Sequence, residues 1–189
     1  YALAQDIDAR DTANWNDGAG FEPIGTSSSR FRGSFDGRGY KITGLHINRP
    51  STNYVGLFGY ADGATIQNVG LVDGTIVGRG STGGVVGAAN SATISRCYNT
   101  GSVTGSDRLI GGIVGGVGSA STISQCYNTG SVTGDGNTIG GIVGNLNSSN
   151  ISQCYNTGSV TGSGNTIGGI AGFASNVATI SQCYNTGSV

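Results

Sequence analysis

Two unrelated phrases recur in this chain at one shared interval, and that interval restricts the fold more than any other feature. The first contains cysteine: "TISRCYNTGSV" at 93–103, "TISQCYNTGSV" at 122–132, and "ISQCYNTGSV" at 151–160 and 180–189. Its cysteines, Cys97, Cys126, Cys154 and Cys183, are spaced 29, 28 and 29 residues apart. The second is glycine-aliphatic: "VGLFG" at 55–59, "GGVVG" at 83–87, "GGIVG" at 111–115 and 140–144, and "GGIAG" at 168–172. Its closing glycines, Gly59, Gly87, Gly115, Gly144 and Gly172, are spaced 28, 28, 29 and 28 apart. Two markers holding one period describe a structural repeat, not low complexity.

Weaker copies extend the repeat upstream. "TIQNVGLVDGTIVG" at 65–78 puts Val69 in the cysteine slot, and "KITGLHI" at 41–47 puts Leu45 there. The slot therefore accepts a small or medium apolar side chain. Each unit is made of short β-branched segments broken by glycine, with no helix-period stripe. Glycine is 37 of 189 residues, roughly three times ordinary usage, and would cost a helix about 1 kcal/mol per site. In "GSVTG" valine alternates with hydroxyls, so valine points inward. Ile123 and Cys126 are both apolar but three steps apart, which breaks a period of two, so a corner or bulge separates them. With Cys126 inward, Tyr127 points outward and Asn128 inward.

These readings combine into an all-β chain: a parallel β-helix (β-solenoid) of about six coils, with 28–29 residues per coil. Each coil would lie about 4.8 Å above the last, stacking identical residues into columns. An inward asparagine column can pair its amides from coil to coil and satisfy the turn backbone. Residues 1–40 differ. Of the 19 charged residues 12 lie in the first 50, with Trp15, His46 and both prolines. This segment reads as an N-terminal cap with entry strands, and 41–189 as the repeats. "SFDGRGYKI" reads as a strand, an Asp-Gly turn and a second strand. Tyr1 reads as the start of a processed chain or fragment. Val189 stops inside a unit, so the chain is expected to continue or to be covered by another molecule.

The quoted repeats, together with "YALAQDIDA", "FEPIG", "GSFDGRGYKITGLHINRP" and "YVGLFGYADGATIQNVGLV", resemble the GLUG-motif repeat region of bacterial surface and secreted proteins. That group includes filamentous-haemagglutinin-like adhesins and some immunoglobulin-A peptidases. The glycine-aliphatic phrases resemble the motif itself. The resemblance covers essentially the whole chain and implies a right-handed β-helix and a secreted or cell-surface address. It carries over no catalytic residue, and no zinc-binding "HExxH" occurs.

The net charge of −1 and 10% charged residues argue against nucleic acid, and no apolar run approaches the roughly 18 residues of a membrane span. The cysteines fall in one inward column, where in-register neighbours suit a disulfide poorly. They lack paired zinc-site spacing and read as buried apolar fillers. No metal and no cofactor is expected. In the regular coils Arg96, Asp107, Arg108 and Asp135 do not fall in one cluster, so no catalytic residue is assigned and the chain reads as not an enzyme. His46 reads as structural.

The candidate contact residues face outward. Tyr98, Tyr127, Tyr155 and Tyr184 form a column that stacks on itself and could meet sugar rings. Ser102 and Thr104, Ser131 and Thr133, and Ser159 and Thr161 form hydroxyl columns like those of ice-binding faces, although Thr75-Ile76-Val77 departs from the pattern. The function expected is a non-catalytic, adhesin-like stalk, display or adhesion module. Its partner would be a host or environmental surface glycan or protein. The alternatives are an ice-binding protein and an extracellular fibre subunit associating end to end through its uncapped C-terminal coil.

Overall fold

A computed structural model describes residues 1–189. It is a parallel β-solenoid with five walls per turn. The first wall stacks Ser34–Asp36, Thr65–Gln67, Thr93–Ser95, Thr122–Ser124, Asn150–Ser152 and Thr179–Ser181. The second runs from Ile7–Asp8 and Lys41–Thr43 through Gly70–Val72 to the Tyr-Asn pairs beginning Tyr98–Asn99 and ending Tyr184–Asn185. The third holds His46–Asn48, Thr75–Gly78, Ser102–Gly105, Val132–Gly134 and Val160–Gly162. The fourth begins at Thr82–Gly83 and the fifth at Phe58–Asp62. Every strand pair is parallel and in register with the sequence repeat, for example Ile94 with Ile123 and Ile123 with Ile151.

Five complete coils occupy 34–175, so the count is about five rather than six. An irregular turn precedes them and a partial turn, 179–185, follows. The preceding turn joins the stack through bridges Ala2–Asp36, Ile24–Phe58 and Phe31–Ala61 and through pairing of Ile7 with Ile42. It does not fill that end. An apolar hollow of about 260 Å³ remains between Leu3, Trp15, Phe21, Ile42 and Leu45.

Ser34–Asp36 and Lys41–Thr43 do not pair with each other. They sit on adjacent walls, and the Asp-Gly segment is the corner between them, with Arg38 at φ 53° and Gly39 at φ 80°. The corner is tied by Asp36. Its Oδ1 accepts the Arg38 N–H and the Asn68 amide, each at 2.8 Å, and its Oδ2 accepts the Gln67 amide at 3.0 Å. The Asn68 bond, then the Arg38 and Gln67 bonds, hold the Asp36 carboxyl down from 3.8 to about 2. A depressed carboxylate adds stability above its unfolded pKa and loses it as pH falls through the folded one. The melting-temperature gap between wild type and Asp36→Asn is therefore expected to be full at pH 5 and to close as pH falls from 3.8 towards 2. Thermal scans across that range check it, because other acidic groups titrate in both proteins.

The interior of the repeats is packed in two lobes. Ile94, Ile123 and Ile151 of the first wall, the buried cysteines, and Ile113, Val114, Ile142 and Val143 belong to the main core. Val103, Val132 and Val160 of the third wall pack with Ile110 and Ile139 of the fourth in a separate small core. Asparagine divides them. Asn99, Asn128 and Asn156 are buried and project inward from the end of the second wall. The glycine opposite each has no room for a side chain. A Cβ on Gly84 would lie 2.9 Å from the Asn99 Cγ, and one on Gly141 would lie 2.5 Å from the Asn156 Cγ. The second glycine of each "GG" thus lets asparagine cross the interior and also lets the next coil's carbonyl pack close, and Gly56 keeps the place where leucine replaces asparagine. Where Leu71 takes the asparagine position, Ile47 and Ile76 of the third wall join the main core and the interior is undivided.

Candidate functional site: the tyrosine wall and its support

The corner before each cysteine, and before Val69 in the same slot, is made by one left-handed residue: Asn68, Arg96, Gln125, Gln153 and Gln182 lie at φ 52–56°. This is the break between Ile123 and Cys126 that the odd spacing requires. It turns the chain from the first wall to the second and sets cysteine inward, tyrosine outward and asparagine inward.

Cys97, Cys126 and Cys154 are fully buried and all four thiols are free. They do more than fill space. The N–H of Cys97 points at the Cys126 Sγ at 3.5 Å, and Cys126 and Cys154 repeat this towards the next thiol at 3.4 Å. Each thiol donates in turn to the carbonyl two residues earlier, as Cys126 does to Ser124 at 3.2 Å. The column is a weak hydrogen-bond ladder lining the corner. Burial pushes the Cys126 thiol well above its usual value, and the bond to Cys126 together with burial raises Cys154. Thiolate chemistry is suppressed in both. Alkylation of the native protein is therefore expected to spare Cys97, Cys126 and Cys154 and to modify only Cys183, the half-buried one. Mass spectrometry of the quenched reaction, with unfolded protein as the four-site control, checks this.

The asparagines form the ladder that their column implies. Each Nδ2 donates to the Oδ1 of the asparagine above: Asn99 to Asn128 at 3.0 Å, Asn128 to Asn156 at 2.9 Å and Asn156 to Asn185 at 2.7 Å. The second Nδ2 hydrogen closes the turn on the carbonyl of Gly101, Gly130, Gly158 or Gly187, at 2.7–2.8 Å. The buried amides are thus paired within the protein.

On this support the tyrosines stack face to face. Ring centroids are 4.9 Å apart from Tyr98 to Tyr127 and from Tyr127 to Tyr155, and 5.1 Å from Tyr155 to Tyr184, with planes within 5° of parallel. The spacing is that of the strands, so the backbone sets it. The column begins at Tyr98 because Gly70, its partner one coil below, leaves room: a Cβ there would run into the Tyr98 ring. Tyr98, Tyr127 and Tyr155 are half-buried and Tyr184 is exposed. Burial raises the hydroxyls of Tyr98 and Tyr127 above 10.0, so they are neutral donors.

The hydroxyl residues are split by the structure. Thr104, Thr133 and Thr161 are exposed and aligned in one strand column. Ser102 is half-buried on the same strand as Thr104, two residues before it, whereas Ser131 and Ser159 are exposed just outside their strands. Only the threonines therefore form a regular row within the wall. Val77 breaks that row at the next coil down. The structure also draws together residues that the sequence left scattered. Arg79 Nε lies 3.5 Å from Asp107 Oδ2, and Arg108 lines the same cavity. Their separation of one repeat was the available signal, but it requires placing Arg79 in the same corner as Asp107.

The model of the GLUG motif matches residues 106–133 and 135–161. The chain is 42% identical over 121 residues, 61% of its length, to Halomucin from Haloquadratum walsbyi. It is 42% identical over 83 residues, 43% of its length, to a protein of Evansella cellulosilytica described as a Gly-rich membrane protein. It spans only 1% of the first and 9% of the second. Halomucin is archaeal, so these repeats reach beyond the bacterial proteins named above. A crystal structure of a candidate immunoglobulin A1 protease from Bacteroides ovatus has a similar fold, with a TM-score of 0.68 and 21% identity. That alignment covers 98% of this chain and 68% of the other. The chain is a β-solenoid that carries two GLUG-motif units, at 106–133 and 135–161, in a stack that continues above and below them at the same period.

Proposed function

We propose that this chain is a non-catalytic module of a cell-surface or secreted protein, an adhesin-like stalk that displays a contact face along its length. The observation that carries the reading is the tyrosine column: four rings, one per coil, held parallel by a backbone ladder that does not need them. The GLUG motif and the descriptions of two relatives, Halomucin and a Gly-rich membrane protein, support the address. Stacked phenols on one wall, beside a wall that carries the threonine row, suit contact with sugar rings or an uncharged protein surface. The partner proposed is a surface glycan or protein. A glycan array with wild type and Tyr127→Ala tests this. Signals that fall in the variant, at an unchanged melting temperature, support the reading; a silent array, or one indifferent to the substitution, removes the glycan.

A second reading rests on the exposed Thr104, Thr133 and Thr161 row, whose strand-set spacing is repeated and uncharged. It makes the third wall an ice-binding face. Thermal hysteresis that is lost in Thr133→Tyr would support it, and purely colligative behaviour would exclude it.

A further inference from the structure

We propose that the corner between the third and fourth walls, on the first three complete coils, is a binding site for an acidic monosaccharide, a pyranose bearing one carboxylate. The site lies apart from the tyrosine wall and does not depend on the reading given above.

A cavity of about 320 Å³ opens at this corner, near the lower limit of roughly 300 Å³ for pockets that hold small ligands. Three successive coils build it. Asn53 and Tyr54 come from the first, Arg79 and Ser81 from the second, and Asp107 and Arg108 from the third. Tyr54, Ser81 and Leu109 stack at equivalent places and share left-handed backbone, φ 63°, 49° and 66°. That conformation is costly for tyrosine and leucine. The corresponding places on the next two coils hold Thr138 and Thr166, in ordinary extended strands. Gly80 keeps the floor open, since a Cβ there would come within 3.1 Å of Asn53 Oδ1 and 3.3 Å of the Arg108 carbonyl.

The chemistry of this corner breaks the repeat. "GRGST" at 78–82 and "GSDRL" at 105–109 give way to "GDGNT" at 134–138 and "GSGNT" at 162–166, which lack arginine. Stacking favours identity from coil to coil, so the fold does not call for this departure. Nor do the arginines serve the corner. The Arg108 guanidinium has no hydrogen bond or ion pair within the chain, and Arg79 comes no nearer than 3.5 Å to Asp107, too loose for a hydrogen bond.

The set of groups selects the ligand. Two guanidiniums match a carboxylate, which takes paired N–H donors. A bare inorganic anion would also meet the Asp107 carboxylate, which repels it. A neutral sugar would leave the guanidiniums unused. A ring with one carboxylate and several hydroxyls satisfies both halves, because Asp107 and the Asn53 amide oxygen accept O–H groups.

Titration calorimetry with glucuronate at low salt tests the proposal, with glucose and inorganic sulfate as comparison ligands. Glucuronate is expected to bind, and glucose and sulfate each to bind at least about tenfold more weakly, the scale of one charge-assisted pair. Arg108→Gln should weaken glucuronate by a similar factor without changing the melting temperature, since its side chain holds nothing in the fold. Tyr127→Ala should leave this binding intact, which separates the site from the tyrosine wall. The proposal is overturned if glucuronate does not bind at millimolar concentration, if sulfate binds as well as glucuronate, or if Arg108→Gln has no effect.

Discussion

Replacing Asn128 with alanine is expected to cost the fold about 3 kcal/mol or more, which would make it one of the most damaging single substitutions in the repeats. The side chain is fully buried and serves three partners. It accepts from the Asn99 amide at 3.0 Å, donates to Asn156 at 2.9 Å and donates to the Gly130 carbonyl at 2.7 Å. Alanine leaves all three groups without that partner in a dry interior, at about 1–3 kcal/mol each. It also opens a void between the two cores. For a chain of this length that loss corresponds to a fall in melting temperature of about 6–12 °C if the stack unfolds as one unit. Asn128→Asp should be no milder. Aspartate keeps the shape but cannot donate to Asn156 while ionised, and ionisation in the ladder is itself unfavourable. Thermal denaturation of both variants beside wild type checks the prediction.

The second large effect lies on the other side of the same contact. Gly141→Ala is expected to destabilise by about 3 kcal/mol, the upper range for an overpacked core. The added methyl would lie 2.5 Å from the Asn156 Cγ and run into the Gly169 carbonyl. Neither neighbour can yield cheaply. Asn156 is pinned at both ends of its amide, its Oδ1 accepting from Asn128 and its Nδ2 donating to Gly158 and Asn185, and Gly169 is backbone of the next coil. Gly33→Ala provides the contrast, because a Cβ there meets only ordinary contact, 3.4 Å from the Phe31 ring. It should leave the melting curve nearly unchanged. If both alanines behave alike, glycine entropy and not crowding by Asn156 and the Gly169 carbonyl explains the "GG" phrase.

Much of this was legible in the sequence because stacking converts sequence identity into spatial contact. The period gave the coil, and alternation in "GSVTG" and "TIS" gave the inward Val and Ile. The three-step gap from Ile123 to Cys126 located a corner and, with it, the facing of Tyr127 and Asn128. The identity of the corner residue was not legible. Gln125, Gln153 and Arg96 carry no ordinary left-handed signal, and closure of the coil, not their own preference, puts them there. The two halves of the repeat also looked independent. That asparagine in one phrase needs glycine in the other follows only from the narrowness of the cross-section. The first complete coil begins at Ser34, earlier than the repeats announce, because its strands lack the shared phrase and are held by register alone. The arginine corner escaped notice for the opposite reason: it is where the repeat is least regular.

The division of the cysteine phrase into an inward half that builds the coil and an outward half left free for contact rests on the asparagine ladder. Exchange of side-chain amide hydrogens, followed by NMR in heavy water, tests it most directly. The Nδ2 hydrogens of Asn99, Asn128 and Asn156 should exchange only when the coil opens, far more slowly than those of exposed Asn137 and Asn165. Equal rates in the two groups would show that the asparagines face water, and would contradict the account.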